Sequence, residues 1–422
     1  MKNFPSFFVI FLTLVFEIRA WAEEQCPFQV HGFLLGAVSG RVTGERPPNG
    51  NGGDFVLGEE RLRLELRGAT PSGEAFLLVK GDGFHDAVVN KTHGDLREVY
   101  TGYAKGPADL RFGRHIITWG VGDLFYINDV FPKDWESYFS GRPAEYLKLG
   151  VDGLRTQFFS KWVNVDLLVI PFFTPDTFPP AERFFFFDEF AGVTNRAATT
   201  PANRFSNIET AVRFSRRVTD SDLSLFFSRG FWRTASMRPD NTAAPTSVTA
   251  FYPSLHVYGA SLQRNFLGGV TSLEGGYYDS RNDNDGNDSA IPNSEWRFLA
   301  GYQRELRRDF TLGTQFYGEI MDHYGTYRQT LPVGFYQEDH FRGVASLRLT
   351  QWLRYQTWKL SLFAAMSPTD IDYFLQPEIT YRVTDHLGTT LGANIFGGQE
   401  ETTFFGQFEK SDNVFWNVRY NF

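Results

Sequence analysis

One cysteine in 422 residues leaves the chain without an internal disulfide or a cysteine-based zinc site. Basic charge is also short. The 41 Lys and Arg stand against 49 Asp and Glu, a net charge of −8, which lacks the basic footprint that nucleic-acid binding leaves. The 8 histidines are scattered with no pair at metal-ligand spacing, and no G-x-S-x-G nucleophile elbow occurs. No catalytic residue, metal ligand or cofactor is therefore expected. After the N-terminus no apolar run is long enough for a bilayer-crossing helix: the best, Val163 to Phe173, is short and contains Asp166 and Pro171. Sustained helical periodicity is missing as well, which excludes bundles and alternating α/β folds.

Aromatic residues, by contrast, make up 17% of the chain, with 44 Phe, 18 Tyr and 9 Trp. At the N-terminus Lys2 precedes an apolar run from Phe4 to Phe16 and the small-x-small site Ala20-Trp21-Ala22. That pattern predicts an export signal over residues 1–22 and a single exported domain over 23–422. Glu17 and Arg19 interrupt the run before it reaches spanning length, and Cys26 follows Glu23, Glu24 and Gln25 rather than the small apolar residues of a lipoprotein signal.

The period along the rest of the chain is two. Arg61-Leu62-Arg63-Leu64-Glu65-Leu66-Arg67 sets leucines on one face of a strand and ions on the other. The same alternation runs through 208–217, 358–362 and 375–383. A sandwich in water would alternate too, so the connections matter. Tight links near 69–72, 106–109, 160–161, 218–221, 267–269, 307–309, 352–354 and 384–386 interleave with longer polar segments around 82–94, 120–149, 173–205, 233–253, 281–293, 322–339, 366–372 and 397–411, with one further link to place. This predicts an all-β fold: a transmembrane antiparallel β-barrel of about 18 strands (16–18), with short periplasmic turns and long extracellular loops. Alternation begins near Gln29, which leaves no room for an N-terminal plug or hatch.

The last strand, Asn413 to Phe422, places Val414, Trp416, Val418, Tyr420 and Phe422 on one face. The terminal Phe with Tyr420 two residues before it resembles the C-terminal assembly signal of bacterial outer-membrane barrels. That resemblance implies an outer-membrane location in a Gram-negative cell, among lipid and lipopolysaccharide, and recognition by the barrel-assembly machinery. Residues 111–145 resemble the G-R-x-x-x-x-W-G segment of alginate-export-type outer-membrane channels and a related proteobacterial barrel family, through Gly113, Arg114, Trp119 and Gly120. The match covers this segment alone. It implies an 18-stranded monomeric channel with an extracellular loop folded toward the lumen, and it does not carry alginate over as the substrate.

On the polar faces arginine leads, with Arg61, Arg63, Arg67, Arg155, Arg213, Arg217, Arg297, Arg348, Arg382 and Arg419 as candidate lumen-lining residues. Two readings stay open: a wall that favours anions, or a ladder of cross-strand ion pairs. Residues 120–149 are the candidate constriction, carrying Asp123, Asp129, Lys133, Asp134, Trp135, Glu136, Arg142 and Lys148 among several aromatics. So much apolar mass in one loop needs a place to pack, either in the lumen or on its neighbours above the membrane. The run Arg183 to Phe190 holds five phenylalanines, an apolar docking patch or, as the favoured reading, a buried cap. The run Asn282 to Asp288 lacks the first and twelfth EF-hand ligands, so a turn is the default and a loose calcium site the alternative. The expected function is a porin-like channel for passive diffusion of small hydrophilic solutes, anions or oligosaccharides among them. A barrel sheath or secretion channel for a specific partner or polymer is the second reading, and an outer-membrane enzyme the third.

Overall fold

The computed structural model describes residues 28–47 and 53–422; the expected export segment and Cys26 lie outside them. Eighteen strands form one closed antiparallel sheet. In chain order the first are β1 (Phe28–Arg41), β2 (Phe55–Ala69), β3 (Ala75–Asp86), β4 (Lys91–Lys105), β5 (Ala108–Ile116), β6 (Gly150–Phe158) and β7 (Asn164–Ile170). After β8 (Asn195–Thr199) come β9 (Glu209–Val218) and β10 (Ser221–Phe231), then β11 (Ser236–Pro239) and β12 (Ser247–Phe251). The barrel continues with β13 (Ser254–Phe266), β14 (Gly269–Ser280), β15 (Glu295–Arg307), β16 (Phe310–Met321), β17 (Phe341–Leu353), β18 (Trp358–Ser367), β19 (Asp372–Arg382), β20 (Leu387–Gly398) and β21 (Asn413–Asn421). Each barrel strand pairs with the next, and β1 pairs with β21 to close the ring. β8, β11 and β12 form a separate small sheet in the loops.

The faces are inverted relative to a sandwich in water. Phe112, Leu225, Leu391 and Trp416 point outward and are more than half exposed, whereas the inward rows contain buried Arg61, Arg63, Asp82, Asp166, Glu209 and Glu274. An apolar outer face around a charged interior is what a lipid surround selects. It decides between the two folds that alternation alone left open.

Every tight link expected from the sequence lies at one end of the barrel, here the turn side, together with both described ends of the chain. The unplaced link is 42–54, on the opposite, loop side. Two links expected to be long, 82–94 and 366–372, close in four residues each. Lys91–Asp95 pair back onto Asp82–Asp86, and Ser367 pairs with Asp372, so polar residues there extend the strands instead of looping.

The apolar core sits inside the bore rather than between layers. It centres on Phe139, whose ring meets Phe396 at 5.3 Å, Phe408 at 5.2 Å and Phe374 at 5.7 Å. Those partners come from β20, the 399–412 link and β19.

Candidate functional site

The 117–149 link leaves β5, crosses the bore and returns to β6, and its path follows from a few local requirements. Trp119 is buried between Phe131 and Phe226, and its indole N–H donates to Asp166 at 3.2 Å. Gly120 has φ +77, and a Cβ there would lie 2.6 Å from the Glu274 carboxylate, so glycine is needed on both counts. Glu274, on the inner face of β14, accepts the backbone N–H of Val121 (2.8 Å) and of Asn128 (2.8 Å) and the Asn128 side-chain amide (2.9 Å). One wall carboxylate thus holds both limbs of the first bend. Between them Leu124 adopts φ +67, an unusual conformation for leucine. Next to it Asp123 receives Nη2 of Arg348 at 3.0 Å, and its N–H donates to Gln315 at 3.0 Å.

Beyond the bend, Lys133 is buried and donates to Asp129 Oδ1 at 3.0 Å, while Lys148 reaches Asp129 Oδ2 at 2.6 Å. Burial lowers the Lys133 ammonium from its ordinary value, with Asp129 pulling it back up. Asp134 caps the helix α1 (Trp135–Phe139), accepting the Ser137 N–H at 2.8 Å and its hydroxyl at 2.6 Å. Trp135 stacks on Phe139 at 5.8 Å. Burial pushes the Glu136 carboxyl above the usual carboxylate range, against the pull of Arg142 and Arg183. Gly141 then turns at φ +85 flush against Phe415, and Arg142 donates to Glu59 at 2.9 Å. Carbonyls of the segment are held from the wall: Phe139 by Asn394 (2.8 Å) and Asn413 (3.1 Å), Gly141 by Asn417 (2.9 Å), and Glu145 and Lys148 by Arg97 (2.9 and 2.8 Å). The segment therefore touches β14, β16, β17, β19, β20, β21, β2 and β4, around most of the inner wall.

This segment divides the bore. On the loop side a cavity of about 290 Å³ is lined mostly by rings, among them Phe125, Trp232, Tyr278, Tyr317 and Phe374. On the turn side a space of about 560 Å³ carries Arg63, Lys80, Arg97, Arg142, Lys148, Arg348 and Lys359 against Glu98, Asp123, Glu145 and Glu378. Cations outnumber carboxylates there. Leu124, Tyr126 and Tyr138 line both spaces and form the septum between them. A third space of about 810 Å³, lined by Gln263, Gln303, Arg304, Gln315 and Thr350, shares Asp123 and Arg348 with the second.

Besides Arg348, already placed against Asp123, the arginines singled out from sequence fall into three groups. Arg61 and Arg63 share Asp82, and Arg63 and Arg419 both reach Glu145, so they join wall to loop. Tyr146 lies beneath Arg61, Arg63 and Arg97 at 4.4, 5.0 and 5.1 Å from ring centre. Arg155 and Arg213 converge on Asp166 below Trp119 (2.7 and 3.4 Å), and Arg297 lies on the loop side over Tyr278 at 4.0 Å, paired with Glu295. Arg67, Arg217 and Arg382 stand at the turn-side rim; Arg67 pairs with Glu65, Arg217 lies 4.0 Å from Asp222, and Arg382 has no ion pair among the described residues. Both readings of the arginines thus have structural content, because ion pairing runs through the wall and still leaves excess cations on the turn side of the septum.

The motif residues act at the mouth of the same link. Gly113 has φ +135, and a Cβ would meet the Val99 carbonyl at 2.1 Å, while Arg114 forms a bidentate pair with Asp152 at 2.8 and 2.6 Å on the outer face. Among the phenylalanines, Phe184 and Phe190 are buried as a cap against Phe408 and Phe335, and Phe186 and Phe187 stay about 40% exposed. In the 282–288 run, Asp283 accepts the N–H groups of Asn287 and Asp288, as in a turn.

Sequence reasoning missed Lys80, Arg97, Glu274 and Tyr146. Arg97 sits at a bulge where the β3–β4 register shifts, so it points inward out of phase with the alternation. Glu274 stands between Leu273 and Gly275-Gly276, where the alternation fades.

No family model and no curated protein matches the sequence. Solved structures do. They include OccAB3 of Acinetobacter baumannii (TM-score 0.57, 10% identity, 94% of this chain and 100% of that chain). Also similar are OccK2 (OpdF) of Pseudomonas aeruginosa in complex with glucuronate (0.58, 10%, 93% and 97%) and a BenF-like porin from Pseudomonas fluorescens Pf-5 (0.58, 9%, 93% and 98%). At these identities the likeness is one of fold, the 18-stranded porin barrel. The resemblance of 111–145 to alginate-export-type channels receives no support from them.

Proposed function

We propose that the protein is an outer-membrane porin through which small hydrophilic solutes, anions among them, diffuse passively. One observation carries this reading: a single loop divides a water-accessible bore, and the turn-side space beneath it has more cations than carboxylates along its wall. Such a wall raises the local concentration of anions and lowers their barrier to passage. The glucuronate held by OccK2 is a solute of the same kind. The septum of Leu124, Tyr126 and Tyr138 favours solutes of sugar-acid size over long polymers. A sheath around a folded partner is disfavoured, since the chain's own residues fill the middle of the bore. Residues 1–22 as export signal, Tyr420 and Phe422 as the mark read by the assembly machinery, and a non-enzymatic role belong to the same proposal.

The test is single-channel conductance of the refolded barrel in a planar bilayer, with the reversal potential taken under a KCl gradient. The expected outcome is steady conductance with chloride preferred over potassium. A folded barrel that stays silent in every preparation contradicts the proposal.

A further inference from the structure

On the outer surface, the loop-side ends of β10, β13 and β14 carry a basic row that the channel reading does not use. Arg229 pairs in register with His256, and His256 with Asp279; all three point outward, because Phe226, Val257 and Tyr278, at positions of opposite parity on the same strands, are buried inside. Arg281 continues the row and is held by Asp279 at 3.0 Å. Arg229 donates to the Ser206 carbonyl at 2.9 Å, which brings in the turn before β9 with Arg204 and Phe205. Phe205 is 90% exposed. Neither Arg204 nor Arg229 has an ion-pair partner among the described residues.

Two residues nearer the middle of the same strands lie Phe227, Tyr258 and Tyr277, with Trp296 4.7 Å from Tyr277. Aromatic side chains of this kind settle at the level of lipid headgroups. Two strand residues span about 6–7 Å, so the cations stand at or just above that level. Elsewhere around the rim Phe341, Met366 and Val414 face outward, Arg114 is neutralised by Asp152, and Glu60 stands opposite His85. Outward arginine without an acidic partner is therefore a feature of this wall.

We propose that this row, Arg204, Arg229, His256 and Arg281 above the aromatic shelf, is a docking surface for the phosphates of a phosphorylated lipid of the outer leaflet. Phe205 enters the acyl region beside it. The proposal rests on the outer-membrane reading but not on the pore being open.

The test titrates the purified barrel in detergent micelles with bisphosphorylated lipid A and with the same lipid dephosphorylated, followed by native mass spectrometry. The triple variant R204Q/R229Q/R281Q is expected to bind the phosphorylated lipid about tenfold more weakly or worse. The dephosphorylated lipid is expected to bind the unaltered protein just as weakly. A turn-side variant with the same charge change, R264Q/R308Q/R354Q, is expected to bind like the unaltered protein. Undiminished binding by the first variant, undiminished binding of the dephosphorylated lipid, or an equal loss in the turn-side variant overturns the proposal. Heat-modifiable migration verifies that each variant is folded. Conductance of the same samples reports on the channel separately: a silent barrel that still discriminates the phosphates refutes the pore and leaves the lipid site standing.

Discussion

Asp123, paired with Arg348 beside the septum, is the residue at which the proposed passage is most directly tested. It holds Arg348 of β17 from the tip of the loop, and beside it Leu124 keeps its unusual backbone conformation. The pair is partly solvated, so its loss costs little stability, about 1 kcal/mol or less. Replacing Asp123 with Asn removes one of the carboxylates of the turn-side space and frees Arg348. The expected result is a stronger chloride preference and a higher open-state conductance, with the unfolding midpoint in urea nearly unchanged; a lower chloride preference would show that Arg348 is not part of the path. Gly120 is a different case, since alanine there meets both a positive φ and the Glu274 carboxylate. G120A is expected to destabilise the folded barrel by about 1–3 kcal/mol and to release the bend, read as a lowered urea midpoint and noisier current.

At the level of the element, helix α1 is too short to be stable alone and exists because Asp134 caps it and Phe139 anchors it. Truncating Phe139 to Ala is expected to cost about 3–5 kcal/mol, measured by tryptophan fluorescence during urea unfolding in vesicles. The strands were legible in the sequence because their two faces differ in chemistry residue by residue: Arg61 and Arg63 read as inward and Leu62 and Leu64 as outward without knowledge of any partner. Turns were legible for the same reason, since a break in alternation marks them. The course of 120–149 was legible only as a need to pack aromatic mass. Its docking residues, from Glu274 to Asn417, lie 146 to 276 residues away and carry no local signal. Arg97 was hidden by a bulge, and Gly113, Arg114, Trp119 and Gly120 stood out as a motif whose structural part is to launch the loop rather than to bind a solute.

For the whole molecule, closure depends on the seam between first and last strands. Gly32 and Phe422 exchange backbone hydrogen bonds at 3.0 Å, and a Cβ on Gly32 would fall 2.4 Å from the Arg63 carbonyl and 2.6 Å from the Phe422 ring. Gly32→Val is therefore expected to slow or block closure, seen as loss of the heat-modifiable form on electrophoresis, while substitutions at Gly36, whose surroundings are open, are tolerated. The division of the bore by residues 117–149 also sets a schedule. That segment leaves the ribosome before β14, β16, β17 and β19–β21, most of the strands that will hold it, so Trp135 and Phe139 wait without Phe374, Phe396, Phe404 and Phe408 until the last third of the chain arrives. Docking is thus a late event whose rate follows the long sequence separation of its contacts, and a chain stalled before β21 presents its stickiest residues to the surrounding medium.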